Sequence, residues 1–128
     1  MKGRGAVALA LALLCSLNAC FGTGEAGNRG DERLRLRVGA FYSAWARGKT
    51  DTIRKLVSQN FRDNDPDLAS FKAYMDKTKI KSFQPGDIED ELKYKRVTTN
   101  VTKDNGEAIT QVSYWKFERG DWYLEVID

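Results

Sequence analysis

The spacing of apolar residues changes period partway along this chain, and that change limits the fold more than any other feature. Across residues 31–79 apolar positions recur every three or four residues; from Ile80 onward they recur every two. Helices therefore come first and strands after. Leu34, Val38, Phe41 and Trp45 share one face of a helix expected to begin at an Asp31 N-cap and to stop at Gly48. A shorter helix starting at Thr50 or Asp51 presents Ile53, Leu56 and Val57 and ends near Asn60. A third follows Pro66 and Asp67, carries Leu68, Phe71, Tyr74 and Met75 on one face, and ends in Lys77 and Lys79, whose charge suits a helix C-terminus.

In the second half, residues 80–88 form a strand broken by Pro85-Gly86, which places it at a sheet edge or gives it a bulge. Residues 92–102, rich in Tyr, Val and Thr, form the next. Asp104-Asn105-Gly106 predicts a hairpin with a type I′ turn, since Asn-Gly tolerates the positive φ angles required. Residues 108–118 and 122–127 complete the set around a turn at Arg119-Gly120-Asp121. The expected class is α+β, with N-terminal helices packed on one face of a curved antiparallel sheet of four strands or slightly more.

Composition excludes much chemistry. The 128 residues are 41% hydrophobic and 30% charged, enough for one compact domain and too few for two of ordinary size. There is no His and there are only two Cys, so Ser-His-Asp and Cys-His catalysis, His-based zinc sites and CxxC redox chemistry drop out. No cofactor and no metal are expected.

The N-terminus carries an address. Lys2 and Arg4 precede an apolar run over residues 6–14, too short for the roughly 20 residues of a membrane span. Leu17-Asn18-Ala19-Cys20 follows and resembles the lipobox of bacterial lipoproteins, with Asn18 a departure from the commoner small residue. The resemblance implies that residues 1–19 are a signal peptide and that Cys20 carries the lipid. Lys2 and Arg4 would leave with the signal, so 21 basic residues become 19 against 18 acidic and the net charge falls from +3 to +1. Phe21 as the second mature residue, where Asp retains enteric lipoproteins at the inner membrane, implies the outer membrane, facing the periplasm. Residues 20–30, with Gly22, Gly24, Gly27 and Gly30, read as a flexible tether to a domain over 31–128. An exported chain of net +1 is a poor partner for nucleic acid.

Within the domain, the stretch from Phe41-Tyr42-Ser43-Ala44-Trp45 through Gly48-Lys49-Thr50-Asp51, then Ile53, Leu56 and Phe61, and the closing Trp115-Lys116-Phe117-Glu118-Arg119-Gly120-Asp121-Trp122-Tyr123-Leu124 resemble the nuclear transport factor 2-like (SnoaL-like) superfamily. The resemblance covers residues 31–128 and implies a cone: a curved sheet wrapped around a long helix with a cavity between. Its motifs are structural, so they speak to fold more than to activity. Enzymes of the superfamily, such as ketosteroid isomerases and scytalone dehydratases, place Asp, His or Arg in the cone.

The candidate pocket residues are Phe41, Tyr42, Trp45, Phe71, Tyr74, Tyr94, Arg96 and Tyr114. Trp45 and Trp122 are expected to fill the core, whereas a buried phenol needs a polar partner and suits a pocket wall. Arg96 is an anion-binding candidate weighed against a solvated arginine. The acidic group Asp87, Glu89, Asp90 and Glu91 lacks an EF-hand rhythm and reads as a solvated turn. Lys77, Lys79, Lys81, Lys93, Lys95 and Arg96 form a basic patch that reads as a solvated face. With helical carboxylates facing outward, the expected function is non-catalytic binding of a small apolar ligand or an envelope protein partner. The alternatives are an enzyme of isomerase or dehydratase type and a structural module that forms a homodimer through its sheet, with Tyr123 and Ile127 on its outer face.

Overall fold

The computed structural model describes residues 24–128, with side chains from Asp31 onward. The expected signal peptide and the Cys20 lipid attachment site lie outside the described residues. The chain divides into two units, of which the second spans Arg33–Asp128. The core and the pocket belong to the second. Among the described residues no helix is long and apolar enough to cross a membrane.

Helix α1 spans Gly24–Arg47, so it begins within the stretch that reads as a tether and not at Asp31. Extending an existing helix by a residue is far easier than nucleating one, and Asp31 does not interrupt it. Its C-terminus is as expected: Gly48 takes φ +69°, its N–H bonds Trp45 O, and Lys49 N–H bonds Ala44 O, which together form a Schellman motif. Leu34, Val38, Phe41, Tyr42, Ala44 and Trp45 are all buried.

The expected second helix is two. Helix α2 covers Thr50–Arg54 and α3 covers Gln59–Asn64. Between them Val57 forms a parallel bridge with Leu124, with Leu124 N–H to Leu56 O and Ser58 N–H to Leu124 O at 2.8 Å each. The last strand would otherwise present unpaired edge groups there, and satisfying them outweighs continuing a helical turn. Ser58 then caps α3 by accepting from Phe61 N–H at 3.0 Å. A 3₁₀ turn at Pro66–Leu68 leads into α4, Ala69–Lys77, whose free N–H groups at Ser70 and Phe71 donate to the Asp65 carboxylate at 2.9 and 3.0 Å.

The sheet is antiparallel in the order β1 (Ile80–Glu91), β2 (Tyr94–Lys103), β3 (Ala108–Glu118), β4 (Asp121–Ile127). As expected, β1 is an edge strand, with a register shift between Pro85 and Ile88. Gly86 is needed there, because a Cβ would lie 2.9 Å from the Thr98 carbonyl oxygen. The turn chemistry differs from expectation. Gly106 is at φ +93° while Asn105 is not in the positive region, and Gly106 N–H bonds Lys103 O, so this hairpin is a three-residue loop with Gly at the left-handed position. The two-residue turn with both central φ positive forms instead at Arg119 (φ 51°) and Gly120 (φ 79°), between paired Glu118 and Asp121.

Val97, Thr99 and Val101 on β2 and Gln111, Ser113 and Trp115 on β3 are buried, which identifies the odd positions of both strands as the face toward the helices. Between β3 and β4 the register shifts: Trp115 pairs with Leu124, but Tyr114 pairs with Val126, leaving Glu125 as the bulged residue. Leu124 and Glu125 are both buried, and the phase inverts beyond them. Val126, in phase with Trp122 and Leu124 by strict alternation, is 46% exposed, while Ile127 packs against the core.

Candidate functional site

The bulge in β4 and the break between α2 and α3 meet at one place. Leu56–Ser58 lies along β4, so the start of α3 sits beside Glu125. Ser58 Oγ donates to Glu125 Oε1 at 2.5 Å, and Asn60 Nδ2 donates to Oε2 at 2.8 Å. Glu125 is 8% exposed, and among the described residues it has no cationic partner. Each carboxylate oxygen thus accepts one hydrogen bond, from a donor that carries no charge.

Glu125 lines a cavity of about 520 Å³ together with Asn60, Phe61, Phe71, Tyr74, Gln111 and Ile127. Phe61 and Phe71 meet edge to face, ring centroids 5.9 Å apart, and give it an aromatic wall. Asp65 also lines the cavity, but both its oxygens are taken by the α4 N-terminus. Gln111 joins the cavity to the core: its Oε1 accepts from Tyr42 OH at 2.7 Å, and its Nε2 donates to Tyr74 OH at 3.4 Å. Burial pushes the Tyr42 phenol well above its ordinary pKa, so it stays a neutral donor.

Of the eight expected pocket residues, Phe71 and Tyr74 are on the cavity wall. Phe41, Tyr42 and Trp45 stand behind it in the core: Phe41 touches the rings of Tyr42, Trp45, Phe71 and Trp115, and Trp45 Nε1 donates to Thr78 O at 3.0 Å. Side-chain burial fills the middle of the sheet, so the space left open lies toward α3 and α4. Tyr94, Arg96 and Tyr114 are corrected outright, because even positions of β2 and β3 face away from the helices and no bulge at Arg96 reverses this. Arg96 instead pairs with Glu89 at 3.1 Å, and its guanidinium pKa is raised chiefly by the Tyr114 hydroxyl and further by Glu89.

The charged runs are partly spent on one another, with Lys95 on Asp90 at 2.8 Å and Lys79 near Asp76 at 3.9 Å. Trp122, expected in the core, packs half-buried at its margin against Phe117, with Lys95 over its ring. Tyr123 is covered by the Arg37 and Arg119 guanidiniums, each 4.8 Å from the ring centre, and Ile127 turns inward, so neither supplies the apolar outer face expected of them.

Sequence reasoning missed Glu125, Ser58 and Gln111. Strict alternation with Leu124 points Glu125 at solvent, and only the bulge brings it in. One local signal was present: Leu124 and Ile127 are three apart, so both can face the core only if the strand contains an extra residue.

No protein-family model matches this chain, and no curated protein matches it in sequence. Its fold does match solved structures. An NTF-2 like protein of unknown function from Burkholderia xenovorans LB400 is 17% identical over 75% of this chain and 82% of its own, with a TM-score of 0.51. A SEC-C motif containing protein from Rhodopseudomonas palustris is 18% identical, covering 68% and 70%, at 0.56. A DUF4783 family protein from Bacteroides ovatus is 15% identical, covering 69% and 88%, at 0.50. The chain has the α+β, nuclear transport factor 2-like fold. Likeness at these identities speaks to fold and not to activity.

Proposed function

We propose that this chain is a lipid-anchored protein of the bacterial envelope whose nuclear transport factor 2-like domain takes up a small, mainly apolar ligand without transforming it. The observation that carries the binding reading is the cavity of about 520 Å³ walled by Phe61, Phe71, Tyr74 and Ile127, a volume within the range of small-molecule sites. The anchor reading rests on Leu17-Asn18-Ala19-Cys20 after a short apolar run, and the outer-membrane placement on Phe21. Two or more acyl chains on Cys20 would hold the protein to the membrane durably.

A second reading, an enzyme of isomerase or dehydratase type, draws on Glu125, a buried carboxylate in the same cavity as the Tyr74 hydroxyl. It is the weaker reading because the side chains that hydrogen-bond Glu125, Ser58 and Asn60, are a hydroxyl and an amide, with no second titratable group joined to it to relay a proton.

The test has two arms. In a bacterial host the wild type should partition into membranes and gain the mass of acyl chains at Cys20, and Cys20→Ser should do neither; an unmodified chain starting elsewhere overturns the anchor. Fluorescence of N-phenyl-1-naphthylamine should rise on binding to the wild type and not to Ser70→Trp, which fills the cavity from its rim; equal signals overturn the pocket. Turnover of an unsaturated ketosteroid that vanishes in Glu125→Gln would replace binding by catalysis.

A further inference from the structure

Glu125 poses a question of charge. It is 8% exposed, and its two hydrogen-bond donors, Ser58 and Asn60, are neutral. Burying a carboxylate without a counter-charge is costly, and proteins usually place Lys or Arg beside one. Here the half-buried Asp65 of the same wall has the α4 N-terminus as its match, whereas Glu125 forms no ion pair among the described residues. Nor does the cavity lining supply one. It contains Asp65, Glu125 and Asp128 and, among the described residues, no Lys or Arg.

We propose that the cavity selects an organic cation: an alkyl- or arylammonium whose charged head meets Glu125 and whose apolar body lies against Phe61 and Phe71. This rests on the binding reading above and narrows it to a ligand class. Three features on the same wall agree with it. The carboxylate is fixed by Ser58 and Asn60, so it is oriented before the ligand arrives. The edge-to-face pair of Phe61 and Phe71 gives the apolar body of the ligand an aromatic surface to lie against. An anionic ligand of the same shape would meet three carboxylates and no positive group, which gives discrimination by repulsion as well as attraction.

The test uses three probes with one apolar body: 4-phenylbutylammonium, 4-phenylbutan-1-ol and 4-phenylbutyrate, titrated into the full chain and followed by amide shifts in NMR spectra. The expected order is ammonium tighter than alcohol by about tenfold or more, with the carboxylate not binding, since a hydrogen bond to a charged group contributes about 1.5–3 kcal/mol. Glu125→Gln should remove the difference in affinity between the ammonium and the alcohol. If alcohol and ammonium bind wild type equally, the cation inference falls while the pocket stands. If none of the three shifts the cavity amides, both fall. Should Glu125→Gln not fold, the order of the three probes on the wild type decides by itself.

Discussion

Ser58 and Glu125, separated by 67 positions, are joined by a 2.5 Å hydrogen bond in which the same hydroxyl that caps α3 orients the buried carboxylate of the cavity. One side chain therefore serves a helix terminus and a binding wall at once. Ser58→Ala should cost about 2–4 kcal/mol, combining a lost cap with a lost bond to a charged group. In a double-mutant cycle with Glu125→Gln, the two losses should fall short of additivity by about 0.5–3 kcal/mol. Urea denaturation measures this, and strict additivity would mean that the two groups do not interact.

Trp45 and Trp122 should respond differently to truncation, although sequence reasoning placed both in one core. Trp45 is 3% exposed, with Phe41, Tyr42 and Phe71 around it, so Trp45→Ala should cost about 3–5 kcal/mol. Trp122 lies half-buried at the margin, and Trp122→Ala should cost about half as much. Equal losses would mean that Trp122 is as central to the core as Trp45.

Two glycine-to-alanine changes should have opposite signs. Gly39 is inside α1 with open space where a Cβ would stand, so Gly39→Ala should stabilise by about 0.5–1 kcal/mol. Gly86→Ala places a methyl 2.9 Å from the Thr98 carbonyl and should destabilise by about 1–3 kcal/mol, because backbone must move. Thermal melts of the two variants against the wild type check both signs.

Asp121 should dominate a local acid response. Its carboxyl is held below the usual value, first by the hydrogen bond from Arg33, at 2.6 and 3.0 Å, and also by Trp122 N–H and Arg37. A depressed folded pKa means that the unfolded state binds the proton more readily. The contribution is therefore complete above the unfolded value of about 3.9 and is lost as pH falls through the lower folded value. Between pH 6 and 2 the urea midpoint of Arg33→Met should fall less steeply below pH 4 than that of the wild type. Parallel curves would show that the pair does not contribute.

The helices-then-meander order, the edge position of β1 and the Gly48 stop were legible because each depends on residues a few positions apart. Apolar period, a Pro-Gly break and a helix-ending Gly act locally, and the long-range structure agrees with them. The candidate site was legible only in Phe71 and Tyr74, which share a helix face that must turn inward. Arg96 shows the limit: alternation counted from Leu92 and Tyr94 turns it inward and alternation counted from Val97 and Val101 turns it outward, and which face the helices cover decides between them.

Periodicity and turn chemistry by themselves determined the element types, their order and the α+β class. Tertiary structure alone decided that Glu125 is inside, that Val57 bridges to Leu124 instead of continuing a helix, and that Arg119-Gly120 takes the tight turn expected at Asn105-Gly106. The physical reason is that strand phase is set by pairing with a neighbour. One extra residue in β4, absorbed against Tyr114 and Trp115, inverts every side chain beyond it. That inversion turns a solvent-facing glutamate into the charged wall of a cavity.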